Sequence, residues 1–192
     1  MMKLEKALIK DVLDNRSNAV EALYDRFAPA MLSLCFRYTG NIQDAEDVLH
    51  EGFIKILKSL GDFKPRQEHS LEAWMKRIMT NTALNFLRDH SREKRILDID
   101  SVREKDFILE DDDVGTDIYS LSVTQDQIME LIAALPLGYR TVFNLYVFED
   151  HSHKEICEQL GCSENTSKSQ LRKARALLRA RIIEMANLIK VK

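Results

Sequence analysis

Apolar positions recur at three- and four-residue steps along most of this chain. In IQDAEDVLHEGFIKILKSL, residues Ala45, Val48, Leu49, Phe53, Ile56, Leu57 and Leu60 lay one apolar stripe along a helix of about five turns. Asn41 is the expected N-cap and Gly61 the expected far end. The next stretch, GDFKPRQEHS, contains Gly61 and Pro65 and has no period, which predicts a loop. A second long helix, SLEAWMKRIMTNTALNFLRDHSR, follows. Leu71, Trp74, Ile78, Phe86 and either Thr82 or Ala83 are expected to face its core. Upstream, 3–14 and 17–39 predict two more helices, with Pro29 marking a break or kink in the second.

From Asp98 to Asp117 the periodicity gives way to DIDSVREKDFILEDDDVGTD, whose charge and lack of pattern predict a linker. Beyond it VTQDQIMELIAAL, LGYRTVFNLYVFE, SHKEICEQL and GCSENTSKSQLRKARALLRAR are four helical stretches separated by short breaks. No strand is needed. The expected fold is all-α, with two small helical domains. An N-terminal helical bundle spans 1–95, an acidic flexible linker 96–119, and a C-terminal four-helix domain 120–192.

Charge sharpens this picture. The formal net charge of the 192 residues is -3, but it is unevenly placed. Residues 64–95 carry +4 and residues 163–192 carry +6, separated by -7 over 96–117. Two basic blocks flanking an acidic middle point to a polyanion met at two places. No run long enough to span a membrane occurs, and the N-terminus carries charges too early for a signal peptide, so a soluble, cytoplasmic protein is expected. Three cysteines, Cys35, Cys157 and Cys162, give no disulfide framework and are expected to be reduced.

The second basic block has the form of a helix-turn-helix. Ile156 and Leu160 give a short helix its apolar face, and Cys157 is small where a second helix must pass close. Gly161 permits the positive φ of a tight turn, and Ser163 can cap the next helix by accepting from the Thr166 amide. Leu171, Ala174, Leu178, Ile182 and Met185 form that helix's buried stripe, leaving Lys168, Ser169, Arg172, Lys173, Arg175 and Arg179 outside. Such a second helix enters the DNA major groove by its N-terminal half. Arg and Lys neutralise phosphates or pair with guanine edges, and Gln pairs with adenine.

With these motifs in hand, the chain resembles the extracytoplasmic-function (ECF) subgroup of bacterial RNA polymerase sigma factors. DAEDVLHEGFIKI resembles the segment that grips a coiled coil of core RNA polymerase, LEAWMKRIMTNTALNFLRDHSR the segment that opens and reads the -10 element, and 135–178 the region that binds the -35 element. The resemblance implies polymerase-binding roles for Asp44, Asp47, Glu51 and Phe53. It implies -10 contacts from Phe63, Lys64 and Arg66, in a loop that captures a base turned out of the stack, and from Trp74, Arg77, Asn81, Asn85 and Arg88. Trp74 by itself reads as core. Contacts with the -35 element fall to Ser163, Thr166, Lys168, Ser169, Gln170, Arg172 and Lys173. Core RNA polymerase, promoter DNA and an anti-sigma factor are the implied partners; no cofactor, metal or membrane insertion is implied.

The chain departs from the family pattern at several points. Asp150 and His151 stand where glycine and an aromatic residue are usual, Ser167 replaces a valine, and His50 and Gly52 alter the polymerase-binding helix. A zinc enzyme is a poor alternative, because the spacing of His151, His153, Cys157 and Cys162 fits no usual structural site. A helix-turn-helix regulator that never joins polymerase explains 120–192 but leaves the helices at 42–60 and 70–95 without work.

Overall fold

The computed structural model describes residues 2–64, 71–94 and 123–190, with side chains over 5–64, 71–90 and 123–187. Every regular element among them is helical: α1 (Met2–Leu13), α2 (Ala19–Thr39), α3 (Ile42–Ser59), α4 (Leu71–Lys94), α5 (Gln125–Ala133), α6 (Leu137–Val147), α7 (His153–Leu160) and α8 (Glu164–Lys190), plus one 3-10 turn at Leu60–Asp62. The chain forms two compact units, 1–90 and 91–192. The expected tether lies outside the described residues.

In the first unit α2 packs on α1 and α3. Its core is built from Leu23, Met31, Leu34, Tyr38, Val48, Ile56, Leu71, Met75 and Met79, all essentially inaccessible to solvent. Each aliphatic side chain so buried contributes about 1.5–3 kcal/mol of transfer free energy. Pro29 does not break α2, which is continuous over Ala19–Thr39. Pro29 sits on the exposed side, where water can reach the backbone carbonyl its missing N–H leaves unpaired. Gly40, with φ 79°, ends α2 and donates its N–H to the Phe36 carbonyl. Asn41 caps α3 as expected, its Oδ1 accepting from the Asp44 amide at 2.8 Å. Gly61 does not act as the left-handed terminator of α3; the helix tightens into the 3-10 turn and Phe63 N–H closes on the Leu60 carbonyl at 3.2 Å.

The core stripe of α4 differs from the expected one. Leu71, Met75, Met79, Thr82 and Ala83 are buried, while Trp74, Ile78 and Phe86 are only partly covered. The reason is a close approach at Gly52 of α3. A Cβ there would overlap the Met79 side chain, so the methionine row, and not the tryptophan row, lies against α3.

In the second unit α8 packs against α5, α6 and α7. Ile132, Leu135, Tyr139, Ala174 and Leu178 form the core, flanked by Leu145 and Ile156. Capping boxes start α5 (Thr124 with Gln127) and α7 (Ser152 with Glu155), each satisfying two otherwise orphaned amides. The last carbonyls of α5 receive guanidinium groups: Arg140 of α6 donates to Ala133 O, and Arg181 of α8 donates to Ala134 O at 3.1 Å. Burial draws the Arg140 pKa down to about 10, so its charge persists at neutral pH. Of the stripe expected on α8, Leu171, Ala174 and Leu178 are buried; Ile182 and Met185 are partly covered, and Ala186 is buried beside them.

Candidate nucleic-acid interface

The helix-turn-helix forms as α7, a turn and α8. Gly161 adopts φ 70° and donates its N–H to the Cys157 carbonyl at 2.8 Å. Ser163 Oγ accepts the Thr166 amide at 3.1 Å and lies 2.9 Å from Thr166 Oγ1. The first turn of α8 is thereby closed, with its polar side chains presented to solvent. Ser163, Lys168 and Arg172 are exposed, and Thr166, Ser169 and Lys173 partly so. Lys168 is held lightly by Glu164 at 3.2 Å across the helix surface.

Gln170 is a correction. It is 5% exposed and turned toward α6, where its side chain fills the space beside Gly138. It is therefore packed between helices and has no free edge to offer a base. A residue passed over in the sequence is Asn165, exposed in the same first turn and sharing a face with Lys168, Ser169 and Arg172. Its spacing from those three was the available signal.

Two departures from the family pattern have structural substitutes here. Asp150 takes φ 56°, the left-handed conformation a glycine would supply, which Asp tolerates better than most residues. Ser167 is fully buried, and its Oγ lies 2.9 Å from His153 Nδ1. A hydrogen bond thus joins α7 to α8 where a valine would have made an apolar contact. His153 also stacks on Tyr146, with centroids 4.7 Å apart, and the Arg175 guanidinium sits 5.6 Å from the centroid of the same Tyr146 ring. Burial, with help from Lys168 and Arg175 and against Glu164, lowers the His153 pKa and so favours the neutral ring.

On α4, Arg77, Asn81, Asn85 and Arg88 are all exposed and follow one another at four-, four- and three-residue steps, so they form a single solvent-facing stripe. Arg88 Nη1 donates to Asn85 Oδ1 at 3.3 Å. Half-buried Trp74 stands at the N-terminal end of this stripe, its ring 5.2 Å from that of Phe63. The expected tryptophan core position is thus only half right. Lys64 is exposed beside this aromatic pair, and Arg66 lies outside the described residues.

On α3, Asp47 and Glu51 are exposed and Asp44 partly so. Phe53 is a second correction: it is 5% exposed and packs on Tyr24 with centroids 4.7 Å apart. The apolar residue on the acidic face is instead Ile54, 53% exposed, at the next helical step from Asp47 and Glu51. Glu51 pairs with Lys55 at 2.6 Å, and Lys55 Nζ reaches Thr82 Oγ1 of α4 at 3.4 Å. Among the described residues no cluster of three or more His, Cys, Asp or Glu side chains could hold a metal ion, and no helix is long and apolar enough to cross a membrane.

Comparison with known proteins separates the same two parts. Residues 23–93 match the Sigma-70 region 2 family and residues 125–178 match Sigma-70, region 4. The chain is 30% identical to the RNA polymerase sigma-H factor of Pseudomonas aeruginosa, over 89% of this chain and 90% of that protein. It is 27% identical to the ECF RNA polymerase sigma-E factor of Haemophilus influenzae over 93% and 95% of the two chains. It is 26% identical to the ECF sigma factor SigW of Bacillus subtilis, covering 96% of this chain and all of the relative. With both regions present in order and a relative matched nearly end to end, the chain belongs to the ECF subfamily of the sigma-70 family of RNA polymerase sigma factors.

Proposed function

We propose that this sigma factor, a transcription initiation factor that directs core RNA polymerase to promoters, divides its DNA reading between the two basic helical faces and its polymerase binding to α3. The observation that carries this reading is the capped first turn of α8. In support of it, Ser163, Asn165, Lys168, Ser169 and Arg172 lie at the solvent-facing start of the second helix of a helix-turn-helix, the end by which such helices enter the major groove. The stripe Arg77–Asn81–Asn85–Arg88, with the Phe63–Trp74 pair at its end, supplies hydrogen-bonding and stacking groups for a single strand opened at the -10 element. Asp44, Asp47, Glu51 and Ile54 give α3 the mix of charge and apolar surface that suits a helical partner on the polymerase. An anti-sigma factor would cover these surfaces. The protein acts by binding, with no bond chemistry of its own, and works in the cytoplasm.

The test is promoter-directed transcription with purified core enzyme. Arg172→Ala is expected to weaken -35 recognition by ~1–3 kcal/mol if it meets a base edge, and uniformly on all sequences if it meets phosphate. Asp47→Ala should weaken association with core polymerase in a pull-down, with no change in fold. Failure of the wild-type chain to co-purify with core enzyme or to start transcription anywhere would sink the reading.

A further inference from the structure

One feature of the helix-turn-helix is left unused by promoter reading. The thiols of Cys157, on α7, and Cys162, in the turn, lie 3.7 Å apart, sulfur to sulfur. Both residues are partly exposed, whereas Cys35 is fully buried and its pKa is pushed up to about 12 by that burial. A C-terminal cap often brings together the residue three before the helix end and the one two after it. Here that contact is made by two oxidisable groups, and a disulfide needs the sulfurs to close by only about 1.7 Å to reach its bond length of about 2.05 Å.

We propose that Cys157 and Cys162 form a reversible intramolecular disulfide that loosens the capped start of α8 and so lowers sequence-specific reading of upstream DNA. Cys162 is bonded directly to Ser163, whose hydroxyl caps the Thr166 amide at 3.1 Å. Drawing Cys162 toward α7 pulls Ser163 off that amide and disturbs the end of α8 that meets base edges. The basic residues further along α8, Lys173, Arg175 and Arg179, stay where they are, so attraction to phosphates survives.

The oxidant is a low-molecular-weight disulfide such as glutathione disulfide. One cysteine thiolate attacks a sulfur of that disulfide, forming a mixed disulfide and expelling one glutathione thiolate. The second cysteine thiolate then attacks the protein sulfur of the mixed disulfide and expels the other glutathione. Two protein thiols are oxidised, one glutathione disulfide is reduced to two glutathiones, and the two thiol protons pass to the expelled thiolates. Burial and the neighbouring Cys157 raise the Cys162 pKa to about 11, which makes Cys162 the poorer attacking thiol of a reaction set by thiolate character.

The consequence for DNA rests on the proposed function; formation of the bond does not, and the experiment separates the two. Full-length protein is equilibrated in graded mixtures of reduced and oxidised glutathione, alkylated and digested with trypsin. Both cysteines fall in one tryptic peptide, Glu155–Lys168. The expected result is conversion of that peptide to a form lighter by two hydrogens that takes up no alkylating reagent, reversed by dithiothreitol and absent in Cys157→Ser and Cys162→Ser. Persistent alkylation of both cysteines, or glutathione retained on either, would overturn the bond. For the second half, duplexes are selected from a random pool by the reduced chain assembled with core RNA polymerase. Oxidation should weaken binding to them roughly tenfold or more while binding to unselected DNA holds, and neither serine variant should respond. Equal affinity in both redox states would overturn the gating role. If the reduced chain enriches no sequence, the proposed function fails and the peptide result stands on its own.

Discussion

His153, Ser167 and Gly52 show how single residues set local behaviour. His153 has a lowered pKa, so in the folded chain it resists the proton that an unfolded chain accepts near pH ~6.5. Its contribution is complete above that value and is lost as pH falls toward the folded pKa. Thermal melts from pH 8 to 5 should show this extra acid sensitivity, and His153→Phe, which keeps a ring on Tyr146 but cannot titrate, should show a flatter profile. The groups that face the imidazole from α8 are Lys168, Glu164 and Arg175. Gly52 is limited by the Met79 side chain. Gly52→Ala should be tolerated, because the methionine end can move and alanine favours a helix. Gly52→Val should lose about 1–3 kcal/mol from overpacking, measured by urea denaturation.

At the level of elements, the start of α8 bears most on function. Ser163→Ala removes the acceptor for the Thr166 amide and should cost about 0.5–2 kcal/mol of stability. It should also weaken specific DNA binding more than it weakens non-specific binding at the same salt. The presence and order of the helices, the Asn41 cap, the left-handed Gly161 and the Ser163 cap were readable from local spacing and capping residues, whereas the unbroken passage of α2 through Pro29 and the 3-10 end of α3 were not. Choices between neighbouring faces were not. Spacing puts Phe53 on the apolar stripe, but its packing on Tyr24 of α2 is what withdraws it from the surface and leaves Ile54 as the exposed apolar neighbour. Gln170 and Asn165 are both amides on α8; Gly138 on a different helix draws one of them into the interior. Trp74 and Met75 likewise compete for the core, and the close approach at Gly52 settles it. Side-chain chemistry could be read locally, but burial depended on a partner helix distant in sequence.

At the scale of the whole chain, the two compact units match two family regions in order, and a net charge of -3 conceals a +6 block in the last 30 residues. Binding of DNA should therefore fall steeply as salt rises despite the acidic total, a dependence measurable by fluorescence anisotropy. Within the second unit, α5 is only nine residues long, shorter than isolated helices sustain in water. Its terminal carbonyls, however, are held by Arg140 from one helix and Arg181 from another. Its amides should therefore exchange with solvent deuterium only when the whole unit opens, and Arg181→Met should let them exchange through local fraying instead. The two guanidinium groups make the shortest-range part of the domain answerable to the most distant, so that the unit loses its structure all at once or not at all.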